Sequence, residues 1–202
     1  MRKVFLAVIP MQRSLVKFVY LSEVYPQSSE TSYPITILLE NECERGDDVV
    51  VITLITAGTA NVAGQRYPAF KEQVIAILKE KEIVPQFVEI PMNSQLNNDS
   101  HQDVYKSIVE QIHDGDSVYT DITYGFKTTP IVIFSALTYV YELKKGVDIA
   151  EIVYGCLYDG TEQKEAKLLD VGSLFYLNSL ASTLGNMPGD EGKQMVMDAV
   201  MK

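Results

Sequence analysis

Histidine and cysteine are scarce in this chain, two of each in 202 residues. Cys43 and Cys156 stand far apart and no Cys-x-x-Cys pair occurs. A metal centre and a disulfide framework are therefore set aside, no cofactor is implied, and both thiols are expected to be buried and inert. Basic residues are also in deficit: 17 Lys and Arg against 27 Asp and Glu leave a net charge of −10. Such a surface is poorly suited to gripping duplex DNA or RNA, which needs clustered cations to release counterions. A small anion stays open, because backbone N–H groups at helix N-termini plus one or two cations can hold it without showing in the net charge. No run of about 18 apolar residues spans a membrane. The apolar core of "MRKVFLAVIP" is too short, and too quickly ended by Pro10, to be a signal peptide. A cytoplasmic protein without membrane contact is expected. Neither the Walker A spacing nor G-x-G-x-x-G is present, which weakens ordinary ATP hydrolysis and dinucleotide binding. Internal repeats and low-complexity segments are absent as well.

What the chain does have is apolar residues, 47% of the total, enough to bury a core without staples. They fall into alternating short runs and helical patterns. "KVFLAVI" reads as a buried first strand. "SYPITILLENECERG" reads as a helix with Pro34 in its first turn and Gly46 just past its end. "DDVVVITLIT" is rich in β-branched residues, as suits a strand covered on both faces. "AFKEQVIAILKEKE" has helical spacing, "IVPQFVEIP" is a strand, and "HQDVYKSIVEQIHDGD" is a helix stopped at Gly115. "SVYTDIT" is a further strand, followed by a helix from Pro130 to Leu143 that Lys144, Lys145 and Gly146 close. "IAEIVYGCLY" and "AKLLDV" form a closing hairpin. This alternation predicts an α/β fold: a Rossmann-like, doubly wound, mainly parallel sheet with a C-terminal β-hairpin, in three layers α/β/α. Residues 10–34 are too long for a βα loop, and "LVKFVYL" within them reads as an extra strand at the sheet's carboxyl edge. Residues 1–185 are expected to form this domain. In the tail, 186–202, Pro188 and Gly189 break the chain before a short apolar helix, and this segment reads as the start of a connector to a further domain.

The stretch "DITYGFKTTP" carries the functional signal. In an open α/β sheet, ligands sit outside the carboxyl ends of the strands, and the loop after a strand delivers backbone donors to them. Gly125 permits close approach or a positive φ, Thr128 or Thr129 can cap the next helix, and Pro130 suits its first turn. Lys127 then stands beside a positive helix end, which is poor for stability and good for an anion. The competing reading is an ordinary βα turn with a stray lysine.

The segments "DITYGFKTTPIVIFSALTYVYELKKGVDIAEIVYGCLYD", "VFLAVIP" and "LLDVGSLFYLNSLAS" resemble the CRISPR-associated Rossmann-fold (CARF) domains of type III CRISPR systems. Asp121, Thr123, Gly125, Phe126, Tyr154, Gly155 and Asp170 match that family's pattern in order. Tyr124 stands where the family often has histidine, and Lys127 where it often has arginine. The resemblance implies a homodimer that binds cyclic oligoadenylate, a ring of four or six AMP units, across its two-fold axis. It also implies the half-site. Met11, Gln12, Arg13 and Ser14 follow the first strand; Thr56, Ala57, Gly58, Thr59 and Asn61 follow the second. Thr123, Tyr124, Gly125, Phe126, Lys127 and Thr128 form the third segment. Arg13 would contact phosphate, or be an ordinary surface arginine. Gln12, Ser14, Thr59 and Asn61 would read ribose or adenine edges. Tyr124 or Phe126 would stack on adenine, while Phe126 packing beneath the loop is the alternative.

Asp121 is expected to serve its own loop's backbone rather than the ligand, Tyr154 and Gly155 to let the hairpin pack closely, and His101 and His113 to lie on an exposed helix without a role. No arginine is followed by histidine at the Arg-x4–6-His spacing of the HEPN ribonucleases that often accompany such domains. A sensor regulating an effector, fused or separate, is the favoured reading. The first alternative is a metal-independent ring nuclease in which Lys127 stabilises charge at phosphorus, and the second is a Rossmann-like protein for another nucleotide. Ile131, Phe134 and Leu137 feed either the core or a dimer face.

Overall fold

The computed structural model describes residues 1–12, 15–26, 29–57, 63–93, 98–159, 164–185 and 190–200. Its strands are β1 (Arg2–Val8), β2 (Tyr20–Leu21), β3 (Asp48–Ala57), β4 (Gln86–Asn93), β5 (Ser117–Asp121), β6 (Asp148–Asp159) and β7 (Lys164–Asp170). The helices are α1 (Ile35–Glu42), α2 (Ala63–Lys79), α3 (Asn98–Gln111), α4 (Thr129–Leu143), α5 (Gly172–Gly185) and α6 (Glu191–Val200). Among the described residues they build one seven-stranded sheet in the order β2-β7-β6-β5-β1-β3-β4. Pairing is parallel except between β6 and β7. The chain winds outward from β1 through β3 and β4, then returns to β5 on the other flank of β1. The β1/β5 boundary is thus the switch point, where an open α/β sheet leaves a crevice at its carboxyl edge.

Period-2 alternation explains why both faces are dry. Phe5, Ala7 and Ile9 join Val49 and Val51 beneath α1 and α2, with Ile37, Leu38, Phe70 and Val74 packed against them. Val4, Leu6 and Val8 join Val50, Ile52 and Leu54 on the other face, covered by Val104 and Ile108 of α3, Ile133, Leu137 and Val140 of α4, and Phe175 of α5. This is the expected doubly wound, three-layer α/β/α sheet with its hairpin.

Several boundaries differ from expectation. The strand read across 15–21 reduces to Tyr20 and Leu21, which pair with Ala166 and Lys167 as the outermost strand, while Phe18 bridges Thr31. α1 stops at Cys43 in extended conformation, so Gly46, with φ +93°, shapes the following turn rather than the helix end. α2 begins at Ala63, so Pro68 lies inside it, and the helix starts earlier than the stretch read from Ala69. α5 was not anticipated. Its apolar residues repeat without the charged spacing that marked α2 and α3. Among the described residues, no helix is long and apolar enough to cross a membrane.

Candidate functional site

Asp121 closes β5 and is the pivot of the crevice. Its side chain is fully buried: one carboxylate oxygen accepts the Thr123 amide at 2.8 Å, the other the Ile35 amide at 3.0 Å. Ile35 is the first residue of α1, so Asp121 supplies a negative charge to a helix N-terminus that has no acidic residue in its own first turn. Burial nonetheless pushes its carboxyl up to about 6, against the hydrogen bonds from Thr123 and Ile35 that lower it. The side chain thus serves its own loop through Thr123, as expected, and also α1 through Ile35, which was not.

The loop beyond it is held at each step. The Thr123 hydroxyl accepts the Gly155 amide at 2.7 Å, tying β5's loop to β6. Gly155 tolerates no side chain: a Cβ there would stand 2.8 Å from Pro34 and 3.0 Å from Tyr20. The Tyr124 hydroxyl donates to the Ser32 carbonyl at 2.7 Å, and burial raises its pKa, with Tyr20 and Asp121 adding to the effect. Burial likewise pushes the Tyr20 phenol up to about 12. Gly125 has φ +111°, a conformation that side chains rarely adopt.

Neither threonine caps α4 in the expected way. Thr128 occupies the N-cap without a side-chain cap bond, and Thr129 turns its hydroxyl back to accept the Phe126 amide at 3.0 Å. Thr128 instead meets His101 of α3, Oγ1 to Nε2, at 3.2 Å. Pro130 lies in the first turn as read. Phe126 is half-buried and belongs to neither buried core cluster. Lys127 is exposed and, among the described residues, holds no ion pair. No acidic residue occupies the first turn of α4.

Beside this loop lies a cleft of about 430 Å3. β6 runs on past Val153, the partner of Asp121, and with β7 and β2 makes a wall above the carboxyl edge. Phe18, Tyr20, Tyr154 and Leu157 line that wall, Thr123 and Tyr124 the floor, and Gln12, Leu15 and Val16 the opposite side. Gln12 is exposed and Met11 half-buried. A larger cleft of about 600 Å3 between Leu21–Val24 and Lys167–Asp170 lies at the lateral edge, away from the loop.

The predicted residues divide accordingly. The structure brings Gln12, Thr123 and Tyr124 to one cleft, with Met11 beside Gln12 in sequence and Gly125, Phe126, Lys127 and Thr128 continuing the loop. Thr56 and Ala57 are not in a turn, because β3 continues to Ala57 and buries Thr56. Arg13, Ser14, Gly58, Thr59 and Asn61 lie outside the described residues. Cys43 is buried, and burial pushes its thiol up to about 12. Cys156 is half-exposed in the cleft wall rather than buried. Sequence reasoning passed over His101 and the aromatic wall. The signal for His101 was its place in the first turn of a helix that follows a strand's carboxyl end, the criterion that found Lys127.

No protein-family model matches the chain. A 76-residue stretch, 38% of the chain, is 29% identical to CRISPR-associated protein MJ1674 of Methanocaldococcus jannaschii and spans 12% of that protein's length. Among solved structures, phosphofructokinase-2 from Escherichia coli in complex with fructose-6-phosphate aligns at 11% identity and a TM-score of 0.41, over 98% of this chain and 70% of that one. The same enzyme in complex with potassium gives 11% identity and a TM-score of 0.39, over 76% and 53%. The fold assignment rests on the strand order and layers described above.

Proposed function

We propose that the chain is a cytoplasmic sensor domain of a type III CRISPR system that binds cyclic oligoadenylate at a homodimer interface and regulates an effector through residues 186–202. The observation that carries this reading is Lys127: an exposed, unpaired cation at the N-terminus of α4, on a loop pinned from below by Asp121 and Thr123, at the sheet's switch point. Backbone donors and a cation at one spot suit a phosphodiester. The aromatic cleft beside it, with Gln12 and Thr123 at hand, suits a purine ring. The CRISPR association of the archaeal relative supports the context, as do the Asp121-to-Phe126 and Tyr154-Gly155 motifs.

Charge supports one face for the proposed homodimer. Two copies at −10 each repel, so they meet best on a surface free of charge. α4 holds one charged residue, Glu142, which accepts a hydrogen bond from Ser179, and α5 holds none. Leu137 is buried in the core, but Ile131 is 66% and Leu174 60% exposed. Pro130, Ile131, Phe134 and Asn178 line a shallow groove between the two helices. Isologous pairing on this face sets two α4 N-termini, each with its Lys127, about one axis.

Incubation with cyclic tetra- and hexa-adenylate followed by chromatography tests the reading. Retention of intact ring supports the sensor, and EDTA-resistant conversion to linear fragments supports the ring nuclease. Failure of both rings to bind sinks both and leaves another nucleotide. Lys127→Ala weakens binding by about tenfold to a hundredfold, the loss of one charge-assisted contact; unchanged affinity in calorimetry removes Lys127 from the site.

A further inference from the structure

Resting on the anion-site reading above, we propose that His101 of α3 belongs to the same site, as a positioning residue that also lends it charge when protonated. α3 and α4 pack side by side on one face of the sheet, and both begin at its carboxyl edge. His101 reaches from the first turn of α3 to Thr128, the residue next to Lys127, with Nε2 at 3.2 Å from Oγ1. The imidazole is half-buried over a small apolar pocket shared by Met92, Val104, Thr129 and Val132. Thr128 makes no side-chain cap bond with α4, so its hydroxyl is committed to histidine instead of to the helix. The imidazole thereby braces the exit of the anion loop, and with it the position from which Lys127 projects.

The contact survives a change of protonation. A neutral ring with its proton on Nδ1 accepts from the threonine hydroxyl at Nε2, and an imidazolium donates from Nε2 to the hydroxyl oxygen. The charge does not stay the same. Histidine ordinarily changes charge between about pH 5 and 8. Among the described residues, few charged groups lie on the elements around it. Lys127 stands on the loop. α4 offers only Glu142, near its far end, and β4 only Glu89, which pairs with Lys71 of α2 on the opposite face. Asp99 and Asp103 of α3 sit two residues to either side, spacings that a helix turns onto other faces. A bound polyanion favours the imidazolium, so by linkage affinity rises as pH falls.

The test measures binding of cyclic tetra-adenylate to wild type, His101→Ala and His101→Gln from about pH 8 to pH 5.5. Wild type is expected to bind about tenfold more tightly at the lower pH. His101→Ala weakens binding at every pH. His101→Gln, which keeps a donor and an acceptor, recovers part of that loss, and neither variant retains the pH dependence. A second measurement needs only wild type: inorganic pyrophosphate shifts the imidazole NMR signals of His101 and leaves those of exposed His113 in place. If His101→Gln keeps the wild-type pH profile, or if neither anion moves the His101 signals, the proposal is overturned. If pyrophosphate moves His101 while cyclic oligoadenylates fail to bind, His101 stands as part of an anion site and the oligoadenylate reading falls.

Discussion

Asp121→Asn separates the loop's foundation from its ligand chemistry. In the folded protein burial raises the Asp121 carboxyl from 3.8 to about 6. A group whose folded value lies above its unfolded one binds more protons folded than unfolded across that window. Its stabilising contribution is present near the lower value and is lost as pH rises through the upper one. Between about pH 4.5 and pH 7.5 the linkage integral for such a shift is about 2 kcal/mol. This slope runs opposite to that of Asp47, whose hydrogen bond with Lys3 leaves its carboxyl lowered despite burial. Asparagine removes the titration. It also sets an amide group against one of the two backbone donors, a cost of about 1–3 kcal/mol that does not vary with pH. Urea unfolding of both proteins at the two pH values gives a difference of differences in which the fixed cost cancels. Wild type should lose about 2 kcal/mol more than the variant on going to the higher pH. Equal pH dependence, or a steeper fall in the variant, would mean that Asp121 is solvated and that the floor beneath the anion loop is wet.

Three further outcomes follow from the same geometry. Gly125→Ala forces a side chain to φ +111° with its Cβ 3.0 Å from Thr129; a loss of about 1–3 kcal/mol in chemical denaturation is expected, and no loss would show that the loop relaxes freely. Ile131→Glu puts a carboxylate on the uncharged α4 face, and under the proposed pairing sedimentation should report wild type as a dimer and the variant as a monomer; a persisting dimer moves the interface elsewhere. Lys127→Glu should stabilise the free protein by about 0.3–1 kcal/mol, because an acid replaces a base at a helix N-terminus, while oligoadenylate binding is lost; a fall in thermal stability would refute the dipole argument.

The sheet was legible because its evidence is local. Both-face burial makes β1 and β3 continuous apolar runs, and glycines with positive φ at 115 and 146 punctuate the chain where strands β5 and β6 are about to begin. The loop proposed to hold an anion drew attention for the same reason: Gly125, Lys127 and Pro130 are neighbours in sequence. The cleft was not, because its wall is assembled from residues far apart along the chain. Phe18 and Tyr20 come from the long excursion after β1, Tyr154 and Leu157 from the overhang of β6, and only the register of β7 between them brings the two together. His101 was read as exposed because helical spacing gives a face, whereas its contact with Thr128 depends on how α3 packs beside α4. Neither cap of α4 followed the rule that threonine at this place closes the helix, since a tertiary partner, His101, took the Thr128 hydroxyl and a local one, the Phe126 amide, took that of Thr129.

The distribution of lysines bears on the proposal for Lys127. Helix C-termini carry the negative end of the dipole and leave carbonyls without partners. Lys3 donates to the Glu42 carbonyl and Lys81 to those of Glu40 and Cys43, all at the end of α1. Lys144 donates to the carbonyls of Val109 and Ile112 at the end of α3. Arg2 pairs with Asp116 at the same edge of the sheet. These cations sit where electrostatics places them, and they are consumed by the fold. Lys127 lies at the opposite edge, beside a helix N-terminus, where the dipole repels it and, among the described residues, no carboxylate pairs with it. In a chain with ten more acidic than basic residues, an acid is the readily supplied residue for that position, and Asp121, six residues away on β5, is turned down into the core to serve α1 instead. The positive potential left over the loop is therefore a cost the free protein carries, and under the proposed function an anion drawn to the crevice would relieve it.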